Sequence, residues 1–157
     1  MEYRIRPCAA SDCPQLLGMI RALAEFEEMP EQVAIGVPGG VLLGYGLFFV
    51  THSTRWGPSL YLEDLYVAPP HRGKGIGSRL LSKIAEAGVE AGCRRLRLSV
   101  LDWNESARRF YGARGGQEET LGGWDGGGPR CFVFRGEALT ALAGPPPGVG
   151  PARPEGP

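Results

Sequence analysis

Residues 60–78 read LYLEDLYVAPPHRGKGIGS and join the two patterns that decide the fold. The first eight residues are apolar or aromatic apart from two acids, which is typical of a β-strand that Pro69 and Pro70 then end. A glycine-rich turn follows, and from Gly75 apolar residues recur at helical spacing until Gly92, which is placed to end a helix. The stretch therefore predicts a strand, a glycine-rich loop and a helix in succession.

Outward from this stretch, predicted strands and helices continue to alternate. Two glycines in the strand before it predict a bulge or a close neighbour. The alternation predicts an α/β or α+β domain with a mixed sheet. Periodicity predicts strands over residues 3–6, 41–50, 60–67, 95–100, 117–121 and 130–134. It predicts helices over residues 13–24, 75–92 and 104–115.

Composition limits the classes of function. The chain has 157 residues, 43% of them hydrophobic, which suits one globular domain. With 17 basic and 17 acidic residues, the net charge is zero, and the protein as a whole has no electrostatic attraction for nucleic acid or an anionic membrane. The four cysteines lack metal-ligand spacing, and neither a signal peptide nor an apolar run of about 20 residues is present. We therefore expect a cytoplasmic protein with reduced thiols, no metal, no membrane contact and no nucleic-acid partner.

The glycine-rich loop can bind a pyrophosphate. Its glycines let main-chain N–H groups converge, the helix N-terminus adds partial positive charge, and Arg72 and Lys74 add cations. A P-loop needs Ser or Thr where Gly75 stands, and a dinucleotide fingerprint needs another glycine spacing and a later acid. Arg72, Gly75 and Gly77 fit the pattern Arg-x-x-Gly-x-Gly instead. An ordinary glycine-rich connection is the alternative.

This loop resembles the acetyl-CoA loop of the GCN5-related N-acetyltransferase (GNAT) superfamily. Residues 23–27 (LAEFE), 61–67 (YLEDLYV), 72–78 (RGKGIGS) and 102–105 (DWNE) resemble, in the correct order, the spermidine/spermine N1-acetyltransferase family. Residues 100–104 (VLDWN) and 134–138 (FRGEA) are more similar to its thialysine acetyltransferase branch. The resemblance implies a GNAT domain over residues 1–143, with a mixed, mostly antiparallel sheet flanked by helices. Residues 144–157, ten of which are Gly or Pro, are predicted to form a disordered tail.

The resemblance also implies where acetyl-CoA and an amine acceptor bind. Asn104 and Tyr111 would lie beside the thioester, while Phe26 and Glu27 would line the amine pocket, and the chain would form a homodimer. The residues whose main chain would pair with the pantetheine arm are Leu65, Tyr66 and Val67. The residues that would hold the pyrophosphate are Arg72, Gly73, Lys74, Gly75, Ile76, Gly77 and Ser78.

The chemistry of amine acetylation asks for two proton-handling groups. A lysine-like amine, with a pKa near 10.4, must lose a proton before it attacks a thioester, and Glu63 is the candidate base, directly or through water. Glu63 could also hold the cationic acceptor, whereas alternation along the strand predicts that Asp64 points to the opposite face. The alternative for both acids is a solvated strand surface. Tyr111 is the candidate acid for the departing thiolate, and its alternative is a core ring beside Phe110.

The chain departs from the family between its first helix and the strand over residues 41–50. A helix and a strand that the family carries there are absent around residues 33–41, which predicts an open sheet edge or a rearranged sheet. Three functions therefore stay open. The first is an acetyltransferase that acts by direct attack in a ternary complex on thialysine, other lysine-like amines or polyamines. The second is an inactive acetyl-CoA-binding or interaction variant. The third is a protein-lysine acetyltransferase.

Overall fold

The computed structural model describes residues 4–26, 42–119 and 129–144, with the side chains of residues 21–26 outside that description. Predictions for Glu27, the shortened segment, residues 120–128 and the tail from residue 145 concern parts outside the described residues. In chain order the elements are α1 (Cys13–Phe26), β1 (Gly44–Ser53), β2 (Gly57–Val67), α2 (Ile76–Glu90), β3 (Arg95–Val100), α3 (Glu105–Gly112), β4 (Gln117–Glu119), β5 (Arg130–Arg135) and α4 (Glu137–Ala143).

The described strands form one five-stranded sheet in the order β1-β2-β3-β5-β4. Only β2 and β3 run parallel, and the other neighbours are antiparallel. The predicted mixed, mostly antiparallel sheet flanked by helices is therefore confirmed. The α4 helix was not predicted, because its seven residues are too few for a periodic pattern to stand out.

Helices cover the two faces of the sheet unequally. On one face, α2 contributes Leu81 and Ile84 to a buried cluster with Leu60, Leu62 and other strand residues. Each fully buried leucine of this kind contributes about 1.5–3 kcal/mol of transfer free energy. On the other face, α1 packs Leu16 and Ile20 against Tyr45 and Tyr66. The part of that second face that lies away from α1 carries polar and aromatic side chains, among them Phe49, Tyr61 and Ser99.

The glycines of β1 let neighbouring elements approach closely. A Cβ on Gly44 would overlap the main-chain oxygen of Tyr66, and one on Gly46 would overlap the end of the Ile84 side chain. The register of β1 and β2 also shifts between Leu47 and Phe48. The predicted close neighbour is confirmed, whereas the extra residue at the register shift belongs to β2 and not to the glycines of β1.

The predicted strand over residues 3–6 is wrong for its described part, because residues 4–9 have neither helical nor strand structure. The buried Asp12 carboxylate accepts a hydrogen bond from the Ala9 N–H at 2.8 Å and lies 3.4 Å from Arg6 Nη1. These contacts turn the main chain into α1 instead of letting it extend. Alternating side chains alone do not make a strand, because its main-chain groups also need a neighbouring strand.

Candidate active site

The sheet splits at its centre, between β2 and β3. The parallel pairing covers only Leu60 to Leu62 on β2, opposite Leu96 to Leu98 on β3. Beyond Leu62, β2 stays paired with β1 as far as Val67 but has no described partner on its β3 side. The main-chain edge of residues 63–67 is therefore open, as a strand-like pantetheine arm requires.

A bulge lies where the split begins. Leu47 of β1 faces Asp64 and the next residue, Phe48, faces Leu62, so Glu63 is an extra residue without a register partner in β1. Leu62 and Leu65 both pack against the cluster beside α2 although they are three positions apart. A bulge bends its strand and changes the direction of side chains, and such bulges are frequent beside active sites.

The bulge overturns the prediction that Asp64 points away from the candidate site. The regular alternation from Leu62 would place Asp64 on the α2 face, but the extra residue moves it to the face of Tyr45 and Tyr66. There Tyr45 Oη lies 3.3 Å from Asp64 Oδ2 and donates a hydrogen bond to it. Glu63 is exposed. Two acids therefore meet at the split.

The environment of Asp64 disfavours its charge. Burial raises the pKa of this carboxyl above its ordinary value of 3.8, the negative charge of Glu63 raises it further, and the Tyr45 hydrogen bond lowers it. A carboxylate with these neighbours is stabilised by a cation that binds beside it. The pair is therefore suited to bind an ammonium group.

Asp64→Asn is expected to stabilise the protein without its ligands at neutral pH, with a rise in Tm of roughly 1–3 °C because the side chain is only partly buried. A raised folded-state pKa means that ionisation of Asp64 costs stability above that pKa, and that the cost disappears below 3.8. The gain should therefore shrink as the pH falls. Thermal unfolding of both proteins across pH measures it, with Glu86→Gln on the outer surface of α2 as control. A lower Tm for Asp64→Asn at neutral pH would contradict the burial argument.

The glycine-rich loop has the geometry of an anion site. Gly73 and Gly75 have φ angles of 74° and 80°, in the left-handed region that favours glycine. Gly75 is the N-cap of α2 and offers no side chain, and the first helical hydrogen bond runs from Arg79 N–H to its carbonyl oxygen at 3.1 Å. The N–H groups of Ile76, Gly77 and Ser78 precede that bond and lack acceptors within the helix. They suit a phosphate group at this end of α2.

Two predicted members of the loop also make contacts within the protein. Arg72 Nε donates a hydrogen bond to the Val67 carbonyl oxygen at 2.8 Å, which ties the loop to the end of β2. Lys74 is exposed on the loop. Ser78 Oγ accepts hydrogen bonds from two nitrogens of Arg114, with Nε at 3.0 Å.

Sequence reasoning missed Arg114. Its guanidinium lies 3.7 Å from the Phe110 ring centre and donates to the Phe110 carbonyl oxygen at 2.8 Å. These contacts hold a cation beside Ser78 at the start of α2. The signal that could have found Arg114 is its spacing of four residues from Phe110 within the helix predicted over residues 104–115, since residues at that spacing meet on a helix surface; α3 itself ends at Gly112, and Arg114 lies in the turn that follows.

Arg114→Ala is expected to raise the KM for acetyl-CoA about tenfold, with little change in kcat, because a charge-assisted contact to a phosphate would be lost. Steady-state kinetics with varied acetyl-CoA, at two salt concentrations, measure the effect. Arg109→Ala is the matched control, because Arg109 is exposed on α3, five residues before Arg114. An unchanged KM in Arg114→Ala would limit this arginine to a structural role.

The predicted thioester residues both lie on or beside α3. Asn104 is its N-cap, with Oδ1 accepting from the Ala107 N–H at 3.2 Å, so the start of the helix predicted over residues 104–115 is confirmed. Tyr111 is buried and lies edge-on to Phe110, with ring centres 5.1 Å apart. The predicted packing beside Phe110 is therefore present, and it leaves the role of the hydroxyl as a prediction. Phe26 is the last residue of α1, and its side chain is outside the description.

A split sheet beside a phosphate-binding loop is the arrangement of a GNAT-type acyltransferase. Residues 4–115 match the acetyltransferase (GNAT) family, and the chain belongs to that family. The predicted family and enzyme class are confirmed, and the site residues stay predictions.

Two curated relatives give the match more detail. The chain is 40% identical over 169 aligned positions to the thialysine N-epsilon-acetyltransferase of Bos taurus, covering 89% of this chain and 96% of the bovine protein. It is 27% identical over 172 positions to the human spermidine/spermine N(1)-acetyltransferase-like protein 1, covering 91% of this chain and 24% of that protein. Because 169 positions exceed the 157 residues of this chain, the bovine protein carries residues without a counterpart here.

Solved structures agree on the fold. A GNAT-family acetyltransferase from Staphylococcus aureus Mu50 superposes with a TM-score of 0.63 at 17% identity, covering 83% of this chain and 96% of that one. The PaiA N-acetyltransferase from Thermoplasma acidophilum, solved in complex with coenzyme A, has a TM-score of 0.51 at 23% identity and covers 60% and 54%. At these identities the likeness shows the fold. The expected co-substrate, acetyl-CoA, suits such neighbours and the loop geometry.

Within residues 4–26, 42–119 and 129–144, no helix is long and apolar enough to cross a membrane. The same residues bring together no group of three or more His, Cys, Asp or Glu side chains that could hold a metal ion.

Proposed function

We propose that the protein transfers the acetyl group of acetyl-CoA to a primary amine of a small cationic acceptor, thialysine or another lysine-like amine. The observation that carries this proposal is the pair of acids at the bulge, Glu63 and Asp64, at the point where β2 leaves β3. An amine bound beside these acids would lie next to the open edge of residues 63–67. The name of the bovine relative supports a lysine-like acceptor.

The acetyl-CoA end of the site is formed by β2 and by the start of α2. Main-chain groups of Leu65 to Val67 pair with the pantetheine arm, and the first N–H groups of α2 hold the pyrophosphate with help from Lys74 and Arg114. These contacts fix the thioester at the split of the sheet, where Asn104 and Tyr111 would lie beside it. Orientation of this kind converts a slow encounter into a favourable reaction within one complex.

The acids prepare the amine. Asp64 and Glu63 attract the ammonium form of the acceptor, and Glu63 takes one proton from it, directly or through a water molecule. The freed nitrogen attacks the thioester carbonyl, a C–N bond forms and the C–S bond breaks. Tyr111 donates its phenol proton to the departing thiolate. Glu63 passes the first proton of the amine to solvent. The nitrogen loses a second proton as the amide forms, and this proton returns to the Tyr111 phenolate, so charge and protons balance in a direct transfer within the ternary complex.

Two other functions are consistent with the same site. The acetyl-CoA half is complete, whereas the bovine relative has residues that this chain lacks, so a binding or interaction variant without turnover is one of them. An acetyltransferase for lysines in proteins is the other. Polyamines such as spermidine and spermine remain candidate acceptors for the active enzyme, because one relative is named after them.

The test is CoA release by the purified protein with acetyl-CoA and, in parallel, thialysine, spermidine, spermine and a lysine peptide. Tyr111→Phe serves as the control for enzyme-dependent turnover. Turnover with a small amine that is lost in the control supports the proposal and ranks the acceptors. Faster turnover of the peptide would favour the protein-lysine function. Acetyl-CoA binding without any turnover would favour the binding variant.

Three further expectations belong to this proposal. The acetyltransferase domain covers residues 1–143 and the tail residues 144–157, the protein resides in the cytoplasm, and it forms a homodimer. Light scattering on a size-exclusion column measures the mass in solution, and a mass of one chain would contradict the dimer.

A further inference from the structure

Arg97 lies on the sheet face that carries Asp64, and it forms no ion pair with any of the described residues. Leu96 and Leu98 point into the cluster beside α2, so Arg97 and Ser99 point to the opposite face. Arg97 is partly buried, and its Nε is buried without a hydrogen-bond partner. Among the described residues it forms no ion pair, and its one side-chain contact is between Nη2 and Cys131 Sγ, at 3.9 Å.

Neighbouring arginines differ from Arg97 in having an acid as a partner, although Nε of Arg95 and of Arg130 is also buried without a hydrogen bond. Arg95, two residues earlier on the same face, lies 3.9 Å from a carboxylate oxygen of Glu119, and Arg135 contacts the same acid at 2.5 Å. Arg130 is paired with Glu118 at 3.5 Å. A partly buried charge without a partner costs free energy, and a guanidinium matches a carboxylate with two parallel hydrogen bonds. Since no acid of the described residues is paired with it, Arg97 is suited to bind an anion.

The sheet register places Arg97 close to the acids. Tyr61 of β2 pairs with Arg97 of β3. Because Glu63 is an extra residue, the three steps from Tyr61 to Asp64 cover the length of two residue steps in β1. Two residues of strand and one strand spacing give about 8 Å, and because β2 leaves β3 beyond Leu62, the Cα atoms of Asp64 and Arg97 are at least that far apart. The guanidinium contacts Cys131 of β5, which pairs with Ser99, so it points along the sheet toward the end that carries the acids and sideways away from β2.

The surface between the two charges is polar and open. Tyr61 Oη and Ser99 Oγ lie 3.2 Å apart, and Ser99 is exposed. A free lysine-like amino acid carries its side-chain amine at one end, and at the other end an α-carbon that bears both an ammonium and a carboxylate, whose charges cancel. A diamine of the same length would place its second ammonium group beside the guanidinium, where like charges repel.

From this arrangement we propose that Arg97 binds the carboxylate of the acceptor and selects free lysine-like amino acids over diamines and polyamines. The inference rests on the proposed function, because it takes Glu63 and Asp64 as the amine end of the acceptor site. It adds a residue that determines specificity at the other end. A lysine within a peptide lacks this carboxylate and would not gain the contact.

The experiment compares thialysine with its carboxamide and with its decarboxylated diamine. Calorimetry measures the binding of each ligand to the protein–CoA complex, and kinetics with acetyl-CoA measure kcat/KM. We expect the wild type to prefer thialysine about 10–100-fold, the range of a charge-assisted contact. Arg97→Gln should abolish the preference and leave diamine binding unchanged, Arg97→Lys should keep part of it, and Arg94→Gln, at an exposed position, should keep all of it.

The outcomes separate this inference from the proposed function. Equal binding of the three ligands by the wild type, or an unchanged preference in Arg97→Gln, overturns the inference even if turnover is present. A preference that depends on Arg97, without turnover, supports the inference and contradicts the proposed enzyme. No binding of any ligand overturns both. The carboxamide comparison uses the wild type alone, so it decides the matter even if Arg97→Gln fails to fold.

Discussion

Replacing Tyr111 with Phe is expected to lower kcat by about 100-fold or more while acetyl-CoA still binds, because general acid catalysis contributes about 10²–10⁴-fold. The substitution removes one oxygen and keeps the ring that packs against Phe110 and Phe132. If the phenol protonates the departing thiolate, the loss appears in the chemical step. Single-turnover kinetics and calorimetry with acetyl-CoA separate that step from binding.

The alternative role of Tyr111, as a core ring, predicts a different result. If the phenol is purely structural, Tyr111→Phe leaves kcat unchanged at temperatures where the variant is folded. The substitution then lowers only the Tm measured by thermal unfolding. Leu139→Val is the matched control, because Leu139 is buried in the same cluster but lies on α4. It should lower Tm and preserve kcat. Loss of acetyl-CoA binding together with unfolding in Tyr111→Phe would favour the core-ring role.

The parts of the fold that sequence predicted best are those with a local signal. The β3 strand forms over residues 95–100 as its alternation predicts, and α2 lies between the two glycines that were expected to delimit it. The strand over residues 3–6 failed because its fate depends on a partner strand and on Asp12, which binds the main chain of Ala9. Long-range pairing of this kind leaves no trace in a window of neighbouring residues.

The candidate site shows the same division. The loop glycines and the cap at Asn104 follow from local main-chain geometry, and the sequence contains that information. The face of Asp64 does not, because the bulge at Glu63 exists only in the pairing of β2 with β1. Arg114 and Arg97 were missed as site residues for a related reason. Arg114 is important because it contacts Ser78, and Arg97 because it forms no ion pair with any described residue; both facts depend on the folded chain.

The prediction for Glu63 depends on pH, which distinguishes a base from a surface charge. Glu63→Gln is expected to lower kcat/KM at neutral pH by about 100-fold, because an amine with a pKa near 10.4 is almost entirely protonated there and loses its catalytic base. The deficit should shrink as the pH approaches 10, since more acceptor is then already deprotonated. A pH profile of kcat/KM with thialysine, for the wild type and the variant, measures both effects.

Two comparisons make the Glu63 result specific. Glu86→Gln removes a charge of the same type from the outer surface of α2 and should leave the profile unchanged. Asp64→Asn should raise the KM for the amine while the shape of the profile stays the same, because Asp64 attracts the cation but is not the proposed base. An identical pH profile in Glu63→Gln and the wild type would reject the base role. It would leave Glu63 as a solvated residue of the bulge, and the amine would then have to lose its proton to another group or to bulk water.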